Sequence, residues 1–448
     1  MKLANGSTVA IVGGGPGGTL SAIFLLDLAR QLHVQLSIDI YEPKRYGCTG
    51  PTGCNMCGGV ISESLIQMLA AEGILLPDTV VIDTINAYIL HTDRESARID
   101  APRQEMRIAT IFRGAGPKGA EHQTPLPWQS FDQFLLEMAI EKGACHLPCS
   151  VSALRREEGF PVVVAANQPG KRYDLLIGAV GINQRKSLQL FENLGFNYQR
   201  PATTRAYVAE LYYGADQVQQ HLGHAMHVFL LDIPYLKFAA ITPKGHYATL
   251  VLLGDHIDHE VVASFFAAPE VKKCLPQGWT IPVQPCHCQP NIVIGPARNP
   301  FADRVVMVGD ASVSRLYKDG IGSAYRMAKR LAFTALAHGV AANDFQKHYW
   351  PVCRSLLWDN RLGHLLFACD HLFRLFPLLR RAMMALLRRE KCLDEGVACP
   401  LSSAFWNTFT GSATYLHIAR ELFHPLTLWN MLRMLRPGKK SHSQKELQ

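Results

Sequence analysis

The sequence predicts an α/β fold: a Rossmann-like sheet that binds a dinucleotide, an antiparallel β-sheet inserted into it to hold a substrate, and a C-terminal α-helical region. Three observations predict it. The apolar run Thr8-Val9-Ala10-Ile11-Val12 breaks into Gly13-Gly14-Gly15-Pro16-Gly17-Gly18 and then into an apolar helical pattern through Leu32. The stretch from Ala202 to Leu253 is rich in β-branched and aromatic residues, with turn punctuation at Pro234, Pro243-Lys244-Gly245 and Gly254,. Of 45 Lys+Arg and 37 Asp+Glu in the chain, 15 and 7 lie from Phe345 onward, so the net charge of +8 sits entirely in the last quarter,.

In the first element, strand, glycine loop and helix follow one another almost from the first residue. Gly13 permits a tight turn, Gly15 lets the backbone come close to a pyrophosphate, and Gly18 lets the helix pack closely on the strand, with Pro16 and Gly17 completing the turn,. The N–H groups of the first helical turn face the anion. A second strand, Val34 to Tyr41, ends in Glu42, placed where a carboxylate accepts hydrogen bonds from a ribose diol lacking a 2′-phosphate,.

The chain of 448 residues, 48% hydrophobic and 18% charged, is long enough for two or three domains and reads as folded rather than disordered,. The first strand leaves no room for a secretory leader, and no apolar run approaches about 18 residues, so the expectation is a cytoplasmic protein that does not span a membrane,. Twelve cysteines in irregular places point to thiols, redox chemistry or metal binding rather than a disulfide framework,.

After Glu42 comes a glycine- and cysteine-rich loop from Tyr46 to Gly59, then a helix with Ser62 as N-cap and Leu65, Ile66, Leu69 and Ala70 on its apolar face,. Residues 81–113 read as antiparallel strands of the inserted domain. Ser130 to Lys142 is a helix closed by Gly143,. Runs at Pro161–Ala165 and Asp174–Val180 are expected to return the chain to the first sheet. Arg304 to Val308 is another buried strand, running into Gly309-Asp310 and a helix from about Gly320. Asp310 is placed to hydrogen-bond a ribitol hydroxyl. Gly320, Ile321 and Gly322 open a helix whose free N–H groups favour negative charge.

In this order the motifs resemble the FAD-dependent oxidoreductases of the para-hydroxybenzoate hydroxylase fold, over roughly residues 8–340. They are Gly13 to Gly18 with Glu42, the Phe131-Asp132 helix, Gly178-Ala179-Val180-Gly181-Ile182-Asn183, the segment from Arg304 through Ala324, and Tyr235 to Gly254. Within that group the chain is similar to the geranylgeranyl reductase-like branch, whose Cys-Gly-Gly arrangement matches Cys57-Gly58-Gly59. The resemblance implies FAD as cofactor. The expected division is 1–80, 125–190 and 290–344 as the FAD domain and 81–124 and 191–289 as the substrate domain, with 345–448, set apart by its charge, as a basic helical C-terminal region,. Val180 stands where hydroxylases of the superfamily carry an acid, which leaves the electron donor, NAD(P)H among the options, open.

Cys54 and Cys57 are the candidates for chemistry, as a redox-active or proton-donating pair acidified by nearby N–H groups. A metal site in which Cys48, Cys54 and Cys57 take one further ligand from Cys286-His287-Cys288, and simple packing beside the flavin, are the other readings, and the expectation is no metal. His221, His224, His227, His256 and His259 lack carboxylates at matching offsets and read as surface or satisfied core histidines. Tyr212, Tyr235 and Phe238 are expected to line an apolar substrate pocket.

In the tail, Leu362, Leu365, Leu366, Phe376 and Leu379 recur at helical spacing among arginines, and Tyr415 to Arg436 repeats the style,. Such helices either lie peripherally on an anionic membrane's inner face, or cap the flavin domain or form a dimer contact. Aromatics confined to the apolar stripe argue against nucleic acid. The expected function is hydride transfer through flavin N5 to or from a hydrophobic substrate of isoprenoid or other lipid type. FAD-dependent monooxygenation and a non-catalytic flavin-binding membrane adaptor are the alternatives, and the oligomeric state is open.

Overall fold

The computed structural model describes residues 2–435 apart from 49, 103–106, 115–127, 167, 281–285, 318, 392–396 and 398. The Gly/Pro-rich stretch from Gly114 to Pro127 lies mostly, and Lys318 wholly, outside the described residues.

The apolar strands of the first domain form a six-stranded sheet in the order Phe301–Ala302, Val305–Met307, Leu175–Gly178, Ser7–Val12, Leu36–Tyr41, Cys145–Leu147. All pairs are parallel except the first. Continuous apolar runs such as Val9–Val12 and Leu175–Ile177 are buried on both faces, as a covered parallel sheet requires,. Helix Pro16–Gln31 packs between this sheet and the helices Gly320–Phe333 and Phe131–Glu141, so that Leu20, Ile23 and Phe24 meet Tyr325, Leu331 and Leu135 in one core. Ser62 caps its helix as expected, its Oγ accepting from Leu65 N–H at 3.3 Å.

The second sheet runs Cys286–Cys288, Thr203–Tyr212, Tyr247–Gly254, Leu236–Lys244, Ala225–Leu230, Ala87–Thr92, Ser96–Asp100. It is antiparallel throughout except where Ala225–Leu230 pairs in parallel with Ala87–Thr92. Two expectations need correction. Val81–Ile85 and Ile108–Ile111 do not join this sheet but pair with each other, and Ile108–Ile111 pairs on its other side with Val60–Ser62. Phe160–Ala165 does not return to the first sheet; it forms a hairpin with Val151–Glu157, because Glu158 and Gly159, both at positive φ (49° and 82°), make the tight turn whose twist matches two antiparallel strands,. Only Leu175–Gly178 returns.

The C-terminal region begins with Trp350–Leu375 and, after Phe376, turns into Pro377–Lys391, as the restricted residue before a proline favours. Its inner layer is a cap on the antiparallel sheet: Met383, Met384, Leu387 and Trp406 are buried against Tyr88, Leu90 and Ile99. Phe423, just after helix Tyr415–Leu422, and Leu428, Trp429 and Leu432 of the last helix, Pro425–Leu435, are 44–61% exposed. Among the described residues no helix is long and apolar enough to cross a membrane.

Candidate functional site

A cavity of about 520 Å³ runs from the glycine loop, past Asp310, to the inner face of the antiparallel sheet. Its first wall is built where Ser7–Val12 ends. Gly13 sits at φ 107°, and a Cβ there would fall 2.4 Å from the Ala179 carbonyl oxygen, so the turn admits no side chain,. A Cβ at Gly18 would fall 1.9 Å from the Gly13 oxygen, which is the close helix–strand packing expected of it. Gly15 is different: nothing lies within 4 Å of its missing Cβ, and it faces the cavity with Pro16 and Gly17. The helix begins there with no side-chain cap and no acid in its first turn, so its positive end is left for an anion,.

Glu42 lines the same wall and is buried. Its Oε2 accepts from Gly14 N–H at 2.8 Å and from the Tyr46 hydroxyl at 2.9 Å, and its Oε1 from Lys44 N–H at 2.8 Å. Burial, reinforced by Glu42, pushes the Tyr46 phenol well above its usual range, so it remains a donor,.

Asp310 follows the Val305–Met307 strand and lines the cavity. Burial raises its carboxyl above the usual range, opposed by a hydrogen bond with Ser314 and by the charge of Arg113. Gly320 and Ile321 line the wall beside it. Gly322 does not, and its N–H is not free: Asp319, held in the left-handed region, accepts from it at 3.1 Å as the helix N-cap,. A Cβ at Gly322 would lie 2.1 Å from Asp319 Oδ1, so this glycine makes room for the cap rather than for a ligand.

Cys57, Gly58 and Gly59 line the cavity; Cys54 does not. Cys57 Sγ accepts from Gly59 N–H at 3.4 Å. Cys54 Sγ accepts from Met56 N–H at 3.2 Å, yet burial outweighs that bond and raises its thiol, which corrects the expectation of an acidified pair,. Cys286 and Cys288 are near enough to interact electrostatically, but among the described residues these cysteines do not converge as metal ligands.

Sequence reasoning missed the polar buttress under this loop. Arg113 lines the cavity and makes two parallel bonds to Asp132, 2.8 Å from Nε to Oδ2 and 2.7 Å from Nη2 to Oδ1, with both side chains buried,. Asn55 donates to the same carboxylate at 2.7 Å, and Lys44 Nζ bridges Asn55 Oδ1 and the Cys54 carbonyl. The signal was the Phe131-Asp132 helix start, whose acid has a partner from outside its own helix.

On the opposite wall, strand alternation selects the lining. Phe238, Ala240 and Thr242 face the cavity, while Ala239 and Ile241 enter the core on the sheet's other face,. Met226, Val228 and Val251 extend this apolar wall. Tyr212 and Tyr235 are not on it, being 46% and 64% exposed. Tyr212 shares the parity of Val208 but sits at the last position of its strand, past the cavity edge. Tyr235 precedes its strand in a left-handed turn, with a register shift between Leu236 and Phe238 separating it from the lining positions,.

The C-terminal region closes the cavity. Phe409 and Thr410 contribute to the lining. Arg315, on the loop after Asp310, donates to the carbonyls of Gly411 and Ala413. Asn360 accepts from Leu316 N–H at 2.9 Å and donates to Ser314 O at 2.8 Å, and Tyr415 donates to Leu316 O at 2.6 Å.

Neither a protein-family model nor a curated protein matches the sequence. Solved structures do. The flavin-dependent brominase Bmp2 superposes with a TM-score of 0.60 at 15% identity, covering 91% of this chain and 99% of that one. Halogenase PltM gives 0.58 at 11% identity, covering 96% and 94%. The p-nitrophenol 4-monooxygenase PnpA from Pseudomonas putida DLL-E4 gives 0.56 at 14% identity, covering 92% and 100%. The chain therefore has the fold that flavin-dependent halogenases and monooxygenases share.

Proposed function

We propose that the chain is an FAD-dependent oxidoreductase that uses O2 to oxidise a hydrophobic small molecule. The observation that carries this reading is the continuity of one cavity from the glycine loop to the apolar sheet wall, with Asp310 and Gly320 between them. The residues fit the cofactor: the open position at Gly15 and the uncapped helix end suit a pyrophosphate, Glu42 an adenosine ribose, and Asp310 a ribitol hydroxyl,. Bound FAD would supply electron transfer at N5 and, once reduced, reaction with O2.

The chain's own groups do the rest. Phe238, Val228, Met226 and Val251 exclude water and orient an apolar substrate,. The Arg113–Asp132 pair supports the loop before Cys57 through Asn55, which donates to Asp132, and through the contact of Arg113 with the Cys57 side chain. The oxygen-using reading follows the halogenase and monooxygenase neighbours. Reduction of an isoprenoid-type double bond is the second reading, favoured by the Cys57 thiol at the cavity wall, a group able to deliver a proton.

The exposed apolar residues of the last two helices, together with the basic charge of the tail, suit an anionic bilayer as the surface from which a lipophilic substrate is drawn,. The full-length protein, assayed for O2 uptake with NAD(P)H and for 18O in the product, tests the chemistry. Labelled product supports the proposal. A reduced flavin that ignores O2 but is reoxidised by an unsaturated lipid establishes the reductase reading, and FAD binding without any substrate-dependent absorbance change leaves the adaptor.

A further inference from the structure

On the face of the antiparallel sheet turned away from the cavity, His91, His227 and Cys274 converge, all three buried. The parallel pairing of Ala87–Thr92 with Ala225–Leu230 places Ile89 beside His227 and His91 beside Phe229, so the two imidazoles are diagonal neighbours on one face,. Cys274, just after the short helix Pro269–Lys272, closes over them. His91 Nε2 lies 3.0 Å from His227 Nδ1, and Cys274 Sγ lies 3.1 Å from His227 Nδ1 and 4.0 Å from His91 Nε2. Ligand atoms around one ion, at about 2.0 Å for nitrogen and about 2.3 Å for sulfur, stand about 3.3–3.7 Å apart. The three separations bracket that range.

The outer nitrogens are already engaged. His91 Nδ1 meets Ser96 Oγ at 2.9 Å, and His227 Nε2 meets the Leu222 carbonyl at 3.4 Å. Both rings thus point their other nitrogen inward, the arrangement by which outer partners fix the tautomer of a metal-bound histidine. Both rings are buried, which disfavours their charged forms and leaves the inward nitrogens as neutral donors,.

We propose that His91, His227 and Cys274 form a three-coordinate site for a soft monovalent cation, Cu+. Thiolate and imidazole donors select Cu+ or Zn2+, and charge decides between them. Cu+ with one thiolate and two neutral imidazoles is electrically neutral, which a dry apolar site tolerates. Zn2+ would leave an uncompensated positive charge there, next to the positive fields of Lys273 on His91 and Arg98 on His227,. The neighbours are apolar: the His91 ring stacks on Phe229 with centroids 4.7 Å apart. Binding forms one Cu–S and two Cu–N bonds, and the thiol proton leaves to solvent, so no oxidant or reductant is needed. The ion would tie the Cys274 segment to the back of strand Ala225–Leu230, whose other face gives Met226 and Val228 to the cavity wall, and to its neighbour Ala87–Thr92.

The test is an anaerobic titration of the full-length protein with Cu+ in competition with bicinchoninate, comparing wild type with Cys274→Ser and His227→Gln. The proposal expects wild type to hold one more equivalent than either variant, with the flavin absorbance and circular dichroism of all three alike. Equal uptake by wild type and folded variants overturns it, and so does uptake of Zn2+ but not Cu+ at this site. Should the variants misfold, X-ray absorption of wild type loaded with one equivalent decides: one sulfur and two nitrogen neighbours support the site. Sulfur-only coordination assigns the ion to other thiols and overturns the proposal.

Discussion

Glu42 and Gly14 are in direct contact: the Gly14 N–H donates to Glu42 Oε2 at 2.8 Å, and a Cβ on residue 14 would fall 2.8 Å from the Cβ of Glu42. Nothing can be added to Gly14 without moving the carboxylate assigned to the ribose. Gly14→Ala should therefore weaken FAD binding at the adenosine end while leaving the flavin's spectrum normal when the cofactor is supplied in excess. Isothermal titration of the apoprotein checks this; unchanged affinity would remove Glu42 from the ribose role.

Asp310→Ala removes the carboxylate at the other end of the cofactor wall. Loss of one buried hydrogen bond of this kind costs about 1–3 kcal/mol, or about 5- to 150-fold in affinity. The variant should purify with less bound flavin, read as the ratio of absorbance at 450 and 280 nm. A variant as yellow as wild type contradicts the assignment.

The two cysteines separate by position. Cys57→Ser, at the cavity wall, is expected to change turnover or product distribution, whereas Cys54→Ser, held behind it with a raised thiol, should leave both nearly intact. Equal rates in wild type and both variants would reduce Cys57 to packing.

Removing Asp132 leaves Arg113 buried without its partner, a change that costs about 3–5 kcal/mol,. Asp132→Ala should shift chemical denaturation to clearly lower denaturant, and the Arg113→Met/Asp132→Leu double variant should recover much of that loss. A single variant as stable as wild type would mean the pair is idle in folding.

Replacing Leu428, Trp429 and Leu432 together by Glu in the full chain tests the tail without stripping the cap from the sheet, which truncation at Asp344 would do by removing Met384 and Trp406. Wild type should sediment with anionic liposomes in a salt-sensitive way, since the attraction decays within about 8–10 Å, and the triple variant should not. Indifference to lipid charge, with wild type dimeric by light scattering and the variant monomeric, would assign the face to a second copy.

The glycine loop and its flanking strand and helix were legible, because Gly18 answers to a clash with Gly13 a few residues away and Gly13 to the positive φ of the turn itself; that a side chain at Gly13 would also meet Ala179 from another strand was not. The buried Arg113–Asp132 pair was not, since it joins residues on separate elements that no local periodicity connects. Tyr212 and Tyr235 have the right residue type in nearly the right place; strand ends and a register shift move them out of the cavity, and those depend on partner strands. His227 was legible only as a histidine in a strand. Its neighbours His91 and Cys274 lie 136 and 47 residues away in sequence and come together through a parallel pairing within a sheet that reads as antiparallel.

The hold of Gly411 and Ala413 on Arg315 also sets an order of assembly. Arg315 and its first carbonyl partner are 96 residues apart, so the loop after Asp310 leaves the ribosome long before the groups that fix it. A nascent chain that has finished both sheets still has an unlatched cavity. FAD capture at full strength then waits for the C-terminal helices, and chains cut short before Gly411 should accumulate as colourless protein even where their parallel sheet is complete.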